Sequence, residues 1–129
     1  MSPALPKAHV VVFGASGTVG GSVVDWFASG GWSVTACRNR PIADADSKAG
    51  VTWIATGTGS DAPDPLAGLA PVDAVVWAQG RNFSDSVFAF DAEAHLDMYR
   101  ANVLYVLDTA ARLVASDRLR APARLCVIS

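Results

Sequence analysis

The segment VVVFGASGTVGGSVVDWF, residues 10–27, connects a run of β-branched residues to an amphipathic stretch through a glycine-rich turn. Gly14, Gly17 and Gly20 form a GxxGxxG pattern between a predicted strand, His9 to Phe13, and a predicted helix, Thr18 to Ser29. In such a unit the first glycine permits the tight turn, the second lets a pyrophosphate approach the backbone, and the third lets helix and strand pack closely. The N-terminus of the helix then favours phosphate charge. The segment therefore predicts a nucleotide site, the alternative being a sharp connector alone.

The rest of the chain alternates buried strands with helices. Further strands are predicted at 32–37, 51–55, 72–78 and 124–129, and one long helix is predicted within 90–119. The apolar face of that helix consists of Leu96, Tyr99, Val103, Val106, Ala110 and Leu113. This alternation predicts a doubly wound α/β fold, that is, a parallel Rossmann sheet of strand order 3-2-1-4-5, in a single domain over residues 1–129.

Composition excludes several classes of protein. Ten Lys plus Arg and twelve Asp plus Glu give a formal net charge of −2, without the block of like charge that typifies a nucleic-acid or membrane surface. Apolar runs stay well below the roughly 20 residues that a bilayer requires, and the N-terminus has no signal-peptide pattern. Cys37 and Cys126 lie in apolar runs outside any CxxC arrangement, which predicts two buried thiols and a cytoplasmic location.

Three segments together resemble the short-chain dehydrogenase/reductase family. GASGTVG, residues 14–20, is similar to the family's first-turn motif, with a spacing nearer its extended and atypical branches than the GxxxGxG of classical members. VVWAQG, residues 75–80, stands where the family has NNAG, and of those four positions only Gly80 matches. YRANVLYVLDTAARL, residues 99–113, resembles the fourth helix of classical members. The resemblance covers essentially the whole chain.

The resemblance implies an NAD(P)-dependent oxidoreductase that transfers hydride between NADP(H) and a small-molecule alcohol or carbonyl substrate. It also implies a homo-oligomer in the full-length form. The implied cofactor contacts come from the glycine loop, the end of the second strand and the strand-four turn. These residues are Gly14, Ser16, Gly17, Thr18, Val19, Gly20, Arg38, Asn39, Ala78, Gln79 and Gly80.

Asn102 and Ser129 are the candidate catalytic residues. Asn102 borders the apolar helix face, where an unpaired amide would cost about 1–3 kcal/mol, so it needs partners. The resemblance places it at an asparagine that bends the helix and holds a water in the proton relay; the alternative is a purely structural asparagine. Ser129 matches the residue just before the family's catalytic serine, and a shift of one position would make it that serine. Because no Tyr-x-x-x-Lys occurs in the 129 residues, we expect the chain alone to be inactive and to belong to a longer one.

Arg38 favours NADP over NAD. NAD-selective Rossmann domains place a carboxylate about 20 residues beyond the glycines to bind the ribose hydroxyls, but SVTACRNR supplies Arg38 there. A guanidinium pairs with a 2′-phosphate and stacks on adenine. The alternative is that Arg38 and Arg40 are solvated surface charges. Asp61 is displaced from the position of the aspartate that commonly binds the adenine amino group after the third strand.

The remaining histidines and aromatic residues carry weaker signals. His9 and His95 lie in different elements, so we expect a strand-entry histidine, a solvated helix histidine and no metal site. The tryptophans are expected to pack in the core and on the sheet; they are Trp26, Trp32, Trp53 and Trp77. Phe83, Phe88 and Phe90 are candidates for contact with a substrate or a second subunit.

Two rival functions stay open at this point. One is a non-catalytic dinucleotide sensor of the atypical branch, and the other is a sugar-nucleotide epimerase or dehydratase of the extended branch that holds NAD tightly. The glycine spacing favours these two, whereas Asn102 and the long helix favour the oxidoreductase.

Overall fold

The computed structural model describes residues 7–38, 48–56, 66–80 and 86–128. Within them the strands form one parallel sheet of order β3-β2-β1-β4-β5, so the predicted topology is confirmed. The strands are β1 (His9–Phe13), β2 (Ser33–Arg38), β3 (Val51–Ala55), β4 (Val72–Trp77) and β5 (Leu119–Val127). The helices are α1 (Thr18–Ser29), α2 (Ala92–Tyr99) and α3 (Tyr105–Ala115), with a π turn (Arg100–Leu104) between the last two.

The central strand β1 divides the core into two layers. Val10 and Val12 pack with α1 on one face, where Val24 belongs to the same apolar cluster. Val11 and Phe13 pack with Leu113 of α3 on the other face. Because both faces are covered, the strand is apolar at every position from Val10 to Phe13 rather than at alternate ones, which is the pattern of a buried parallel strand.

The strand order fixes where a ligand can bind. From β1 the chain crosses to β2 and β3 on one side, then returns to form β4 on the other side of β1. Doubly wound sheets bind ligands in the crevice at the carboxyl ends of the two strands where the order reverses. Here those ends are Phe13 of β1 and Trp77 of β4, which are paired in register and whose rings stack 5.7 Å apart.

The long helix predicted within 90–119 is interrupted by the π turn, so the expectation of one continuous apolar face was wrong. A single π turn accommodates one extra residue and so rotates the helix faces before and after it relative to one another. After the turn, Thr109 and Leu113 point inward. Before it, Leu96 and Tyr99 of the predicted face are exposed.

Three further expectations fail. The fifth strand, predicted at 124–129, begins at Leu119 and ends at Val127 because it pairs with β4 across a register shift. Cys126 is exposed on this strand, so the two thiols are not both buried. Trp26 is 71 % exposed on the outer surface of α1, although Trp77 is buried as expected. Within the described residues, no helix is both long and apolar enough to cross a membrane.

The contrast between the two thiols is directly measurable. Burial raises the pKa of Cys37 to about 12, and the thiolate is the reactive form. In the folded protein at pH 8, a thiol reagent should therefore modify Cys126 rapidly and leave Cys37 unmodified; Cys126→Ser should abolish the fast reaction. Between about pH 9 and pH 12 the Cys37 thiol ionises only in the unfolded chain. The free energy of unfolding should therefore fall as the pH rises through this range. Equal reaction rates for both thiols would contradict this assignment.

Candidate functional site

The glycine loop between β1 and α1 needs glycine at two of its three glycine positions for reasons of fold alone. Gly14 has φ +73°, and a Cβ there would overlap the β4 turn, 2.6 Å from the Cα of Gln79. A Cβ at Gly20 would fall on the carbonyl oxygen of Gly14 and lie 2.8 Å from its carbonyl carbon. Only glycine lets the loop, the first turn of α1 and the β4 turn approach so closely.

Gly17 is different because the surrounding protein leaves room for a side chain. Its φ of −77° and ψ of 172° suit any residue. A Cβ there would meet only the carbonyl oxygen of Gly14, at 3.5 Å. Gly17 is the N-cap of α1, and no side chain among the described residues caps it or adds an acidic group to the first turn. The first-turn N–H groups, which have no acceptor within the helix, thus remain available for an anion.

Gly20→Ala tests the packing role of the third glycine. The added methyl group should destabilise the domain by about 3 kcal/mol, because it displaces backbone rather than a flexible side chain. Gly21→Ala is the matched control, because its Cβ would meet only the Ala15 carbonyl oxygen, at 3.6 Å. Replacing glycine by alanine inside a helix should raise the free energy of unfolding by about 0.5–1 kcal/mol. Urea denaturation measures both, and equal stabilities of the two variants would refute this reading.

The glycine loop forms one wall of an open cavity of about 460 Å³ at the carboxyl ends of the strands. The opposite walls come from the ends of β2 and β3, from the β4 turn and from the π turn with its flanking helices. The lining residues are Gly14, Ser16, Gly17, Cys37, Arg38, Thr56, Ala78, Gln79, Gly80, Asp97, Arg100, Ala101 and Tyr105. The crevice expected from the strand order is therefore present.

Arg38, the last residue of β2, lies at one end of this cavity. Its side chain is 7 % exposed, so the interpretation of a solvated surface charge was wrong for this arginine. Its guanidinium carbon lies 5.3 Å from the centre of the Trp53 ring, within the range of a cation–π interaction. The contact holds a permanent positive charge at the carboxyl edge of β2.

A short chain of hydrogen bonds connects three residues of the cavity wall, Arg38, Thr56 and Tyr105. The Thr56 amide and hydroxyl both donate to the Arg38 carbonyl oxygen, at 2.7 and 3.2 Å. Because that hydroxyl has one hydrogen, the Tyr105 hydroxyl donates to Thr56 Oγ1, also at 3.2 Å. Burial raises the pKa of Tyr105 above its usual value. The phenol therefore stays neutral at physiological pH and connects α3 to the end of β3.

The β4 turn contacts the π turn across the cavity. Gln79 Nε2 donates to the carbonyl oxygen of Ala101 at 3.3 Å. A Cβ at Gly80 would lie 3.4 Å from Asn102 Oδ1, so glycine permits this asparagine to approach the turn. Arg100 pairs with Asp97 at 2.9 Å near the mouth of the cavity. Asn102 thus lies beside the cavity wall, within the π turn.

Most of the predicted cofactor-binding residues meet in this one cavity. Thr18 and Val19 are exposed in the first turn of α1 and do not line it, while Gly20 is buried beneath the loop. Asn39, Ser129, Asp61 and Phe83 lie outside the described residues. Phe88 and Phe90 are exposed, so they stay candidates for contact.

Neither histidine lies in the cavity. His9 is buried, and its Nε2 is 2.6 Å from Thr35 Oγ1. His95 is half-buried and stacks on Phe90, so the prediction of a solvated histidine was wrong.

Sequence reasoning missed the lining residues contributed by the later helices. Asp97, Arg100, Ala101 and Tyr105 line the cavity because the π turn directs this part of the helix toward the strand ends. Helical periodicity alone does not predict that Tyr105 lines a cavity. The usable signal was the polar Asn102 at the edge of an apolar face, which marks where the regular helix is disturbed.

The fold is similar to that of solved short-chain dehydrogenases/reductases. An oxidoreductase of the short-chain dehydrogenase/reductase family from Burkholderia thailandensis superposes with a TM-score of 0.79 at 21 % identity, over 95 % of this chain and 51 % of that one. The chain has the Rossmann fold of the short-chain dehydrogenases/reductases. A short-chain dehydrogenase family protein from Francisella tularensis gives a TM-score of 0.74 at 16 % identity, over 95 % and 50 % of the two chains.

A third similar structure is a short-chain dehydrogenase/reductase from Serratia marcescens, with a TM-score of 0.72 at 17 % identity over 95 % of this chain and 57 % of that one. The chain therefore spans about half the length of the solved proteins that it resembles. No family model and no curated protein matches the sequence.

Proposed function

We propose that the chain is the dinucleotide-binding part of an NADP(H)-dependent oxidoreductase of the short-chain dehydrogenase/reductase type. Its cavity holds the nicotinamide cofactor, and the whole protein transfers hydride between that cofactor and a small alcohol or carbonyl compound. We expect the whole protein to be a cytoplasmic homo-oligomer.

Gly17 is the observation that carries this proposal. The fold itself accounts for Gly14 and Gly20, whose added Cβ atoms would overlap backbone, whereas a Cβ at Gly17 would make only an ordinary contact, at 3.5 Å from the Gly14 carbonyl oxygen. A glycine that the protein does not need for packing, at the N-terminus of an uncapped helix and in a cavity wall, suits a ligand that touches the backbone. The N-cap position alone favours Ser, Thr, Asp or Asn at least as much as glycine, so a sharp connector does not require glycine here.

The described residues fit the parts of a dinucleotide. The first-turn N–H groups of α1 would hold the pyrophosphate, and Arg38 would pair with the 2′-phosphate. Gln79 adds a fitting feature, because it lines the cavity and its Oε1 is buried without a hydrogen-bond partner among the described residues. The bound cofactor supplies the hydride chemistry. The protein's part is to bind and orient it, with Asn102 beside the β4 turn to hold a water for proton transfer.

Calorimetric titration of the 129-residue protein with NADPH and NADH tests the proposal. We expect saturable binding of one dinucleotide per chain, tighter for NADPH. ATP is the control for a general nucleotide pocket, since it lacks the second nucleoside of the dinucleotide. Binding of neither dinucleotide by the folded protein would refute the proposal, and equal binding of ATP and NADPH would reduce it to a general nucleotide site.

A further inference from the structure

The hydrogen-bond register of the π turn releases one backbone carbonyl. In an α-helix the N–H of Tyr105 would donate to the carbonyl of Ala101, four residues back. Here it donates to the carbonyl of Arg100, five residues back. The Ala101 carbonyl is taken up by a side chain from another part of the fold, Gln79 Nε2, at 3.3 Å. Gln79 therefore supports the π turn at the position where the helix lacks its regular bond.

The other end of the Gln79 amide has an unused acceptor. Because the Ala101 carbonyl can only accept, the amide nitrogen must face it, and Oε1 points the other way. That oxygen is buried and has no hydrogen-bond partner among the described residues, although a buried acceptor without a partner is costly. Gln79 also lines the cavity. A ligand hydroxyl group that donates to Oε1 would supply the missing hydrogen bond.

We propose that Gln79 is a positioning residue that couples occupancy of the cavity to the conformation of the π turn. A ribose hydroxyl of the bound dinucleotide donates to Oε1, which fixes the side chain, and the fixed Nε2 then holds the Ala101 carbonyl. The neighbouring residue, Asn102, is thereby held against Gly80. This inference rests on the proposed dinucleotide function. It adds that cofactor binding orders Asn102, the residue that holds a water for proton transfer in the proposed function.

Amide hydrogen exchange across residues 99–106 tests the coupling, with and without saturating NADPH. In the wild-type protein we expect NADPH to slow exchange of these amides about 10-fold, because the π turn opens less often. Gln79→Met keeps the length of the side chain and removes both polar ends, so the slowing should fall below about 2-fold. Gln79→Glu keeps an acceptor for the ligand but has no donor for Ala101, so it should bind NADPH and also lose the slowing.

Exchange of the β1 amides, with thermal unfolding, serves as the control that each variant is folded. Slowing that persists at the wild-type level in Gln79→Glu or Gln79→Met would overturn the coupling. NADPH binding to the wild-type protein without any slowing at the π turn would also overturn it and leave the proposed function intact. Absence of dinucleotide binding in the wild-type protein would overturn both.

Discussion

Gly17→Val is expected to lower the affinity for NADPH at least about 100-fold, or about 2.7 kcal/mol, in a domain that still folds. The backbone at Gly17 has a φ of −77°, which valine adopts without strain, and the nearest atom to an added Cβ is 3.5 Å away. The branched side chain would instead occupy the space in front of the first-turn N–H groups. The poorer N-cap should cost about 1 kcal/mol of stability.

Gly21→Val is the matched control for this substitution. It introduces the same side chain one helical turn later, where an added Cβ meets only the Ala15 carbonyl oxygen, at 3.6 Å, and Gly21 does not line the cavity. We expect its NADPH affinity to stay within about 3-fold of the wild type. Full NADPH affinity in a folded Gly17→Val protein would show that the loop is only a connector.

Arg38→Met is expected to remove the preference for NADPH over NADH. Methionine keeps most of the side-chain volume over Trp53 and removes the charge. A charge-assisted hydrogen bond contributes about 1.5–3 kcal/mol, so NADPH affinity should fall by about 10- to 100-fold. NADH has no 2′-phosphate, and its affinity should change less than about 3-fold. Competitive titration of the two cofactors against each variant measures the ratio.

Arg100→Met is the control for the loss of one positive charge from the cavity. Arg100 lines the same cavity near its mouth and pairs with Asp97 in the free protein. Any effect of this substitution should be similar for the two cofactors, because Arg100 is not at the end of β2. A preference for NADPH that survives Arg38→Met, or equal affinities in the wild type, would contradict the assignment.

The sheet could be predicted because its signals are local. The apolar run of β1 and the glycine loop after it specify a buried strand, a tight turn and a helix within 20 residues. The handedness of parallel connections then limits the possible strand orders to a few. The resemblance to the short-chain dehydrogenase/reductase family implied that Gly17, Arg38 and Gln79 contact one cofactor, and all three line the cavity.

The later helices could not be predicted because their geometry depends on tertiary contacts. Periodicity treats residues 92–115 as one helix, whereas the structure inserts a π turn that is held by Gln79 from the β4 turn. The side chain of Gln79 and the carbonyl of Ala101 are 22 residues apart in sequence. Burial fails for a related reason: Cys126 and Trp26 are apolar residues in regular elements, yet both are exposed because the described residues do not cover them.

The central claim is that the N-terminus of α1 holds the pyrophosphate of a dinucleotide. The measurement that tests it most directly is a titration of the ¹⁵N-labelled protein with NADPH, followed by the backbone amide signals. The claim predicts that the largest shifts fall on Gly17, Thr18 and Val19, with smaller ones at Ala78 and Gln79. Saturable shifts confined to residues away from both the cavity and the N-terminus of α1, such as the outer surface of α3, or an unchanged spectrum at millimolar NADPH, would contradict it.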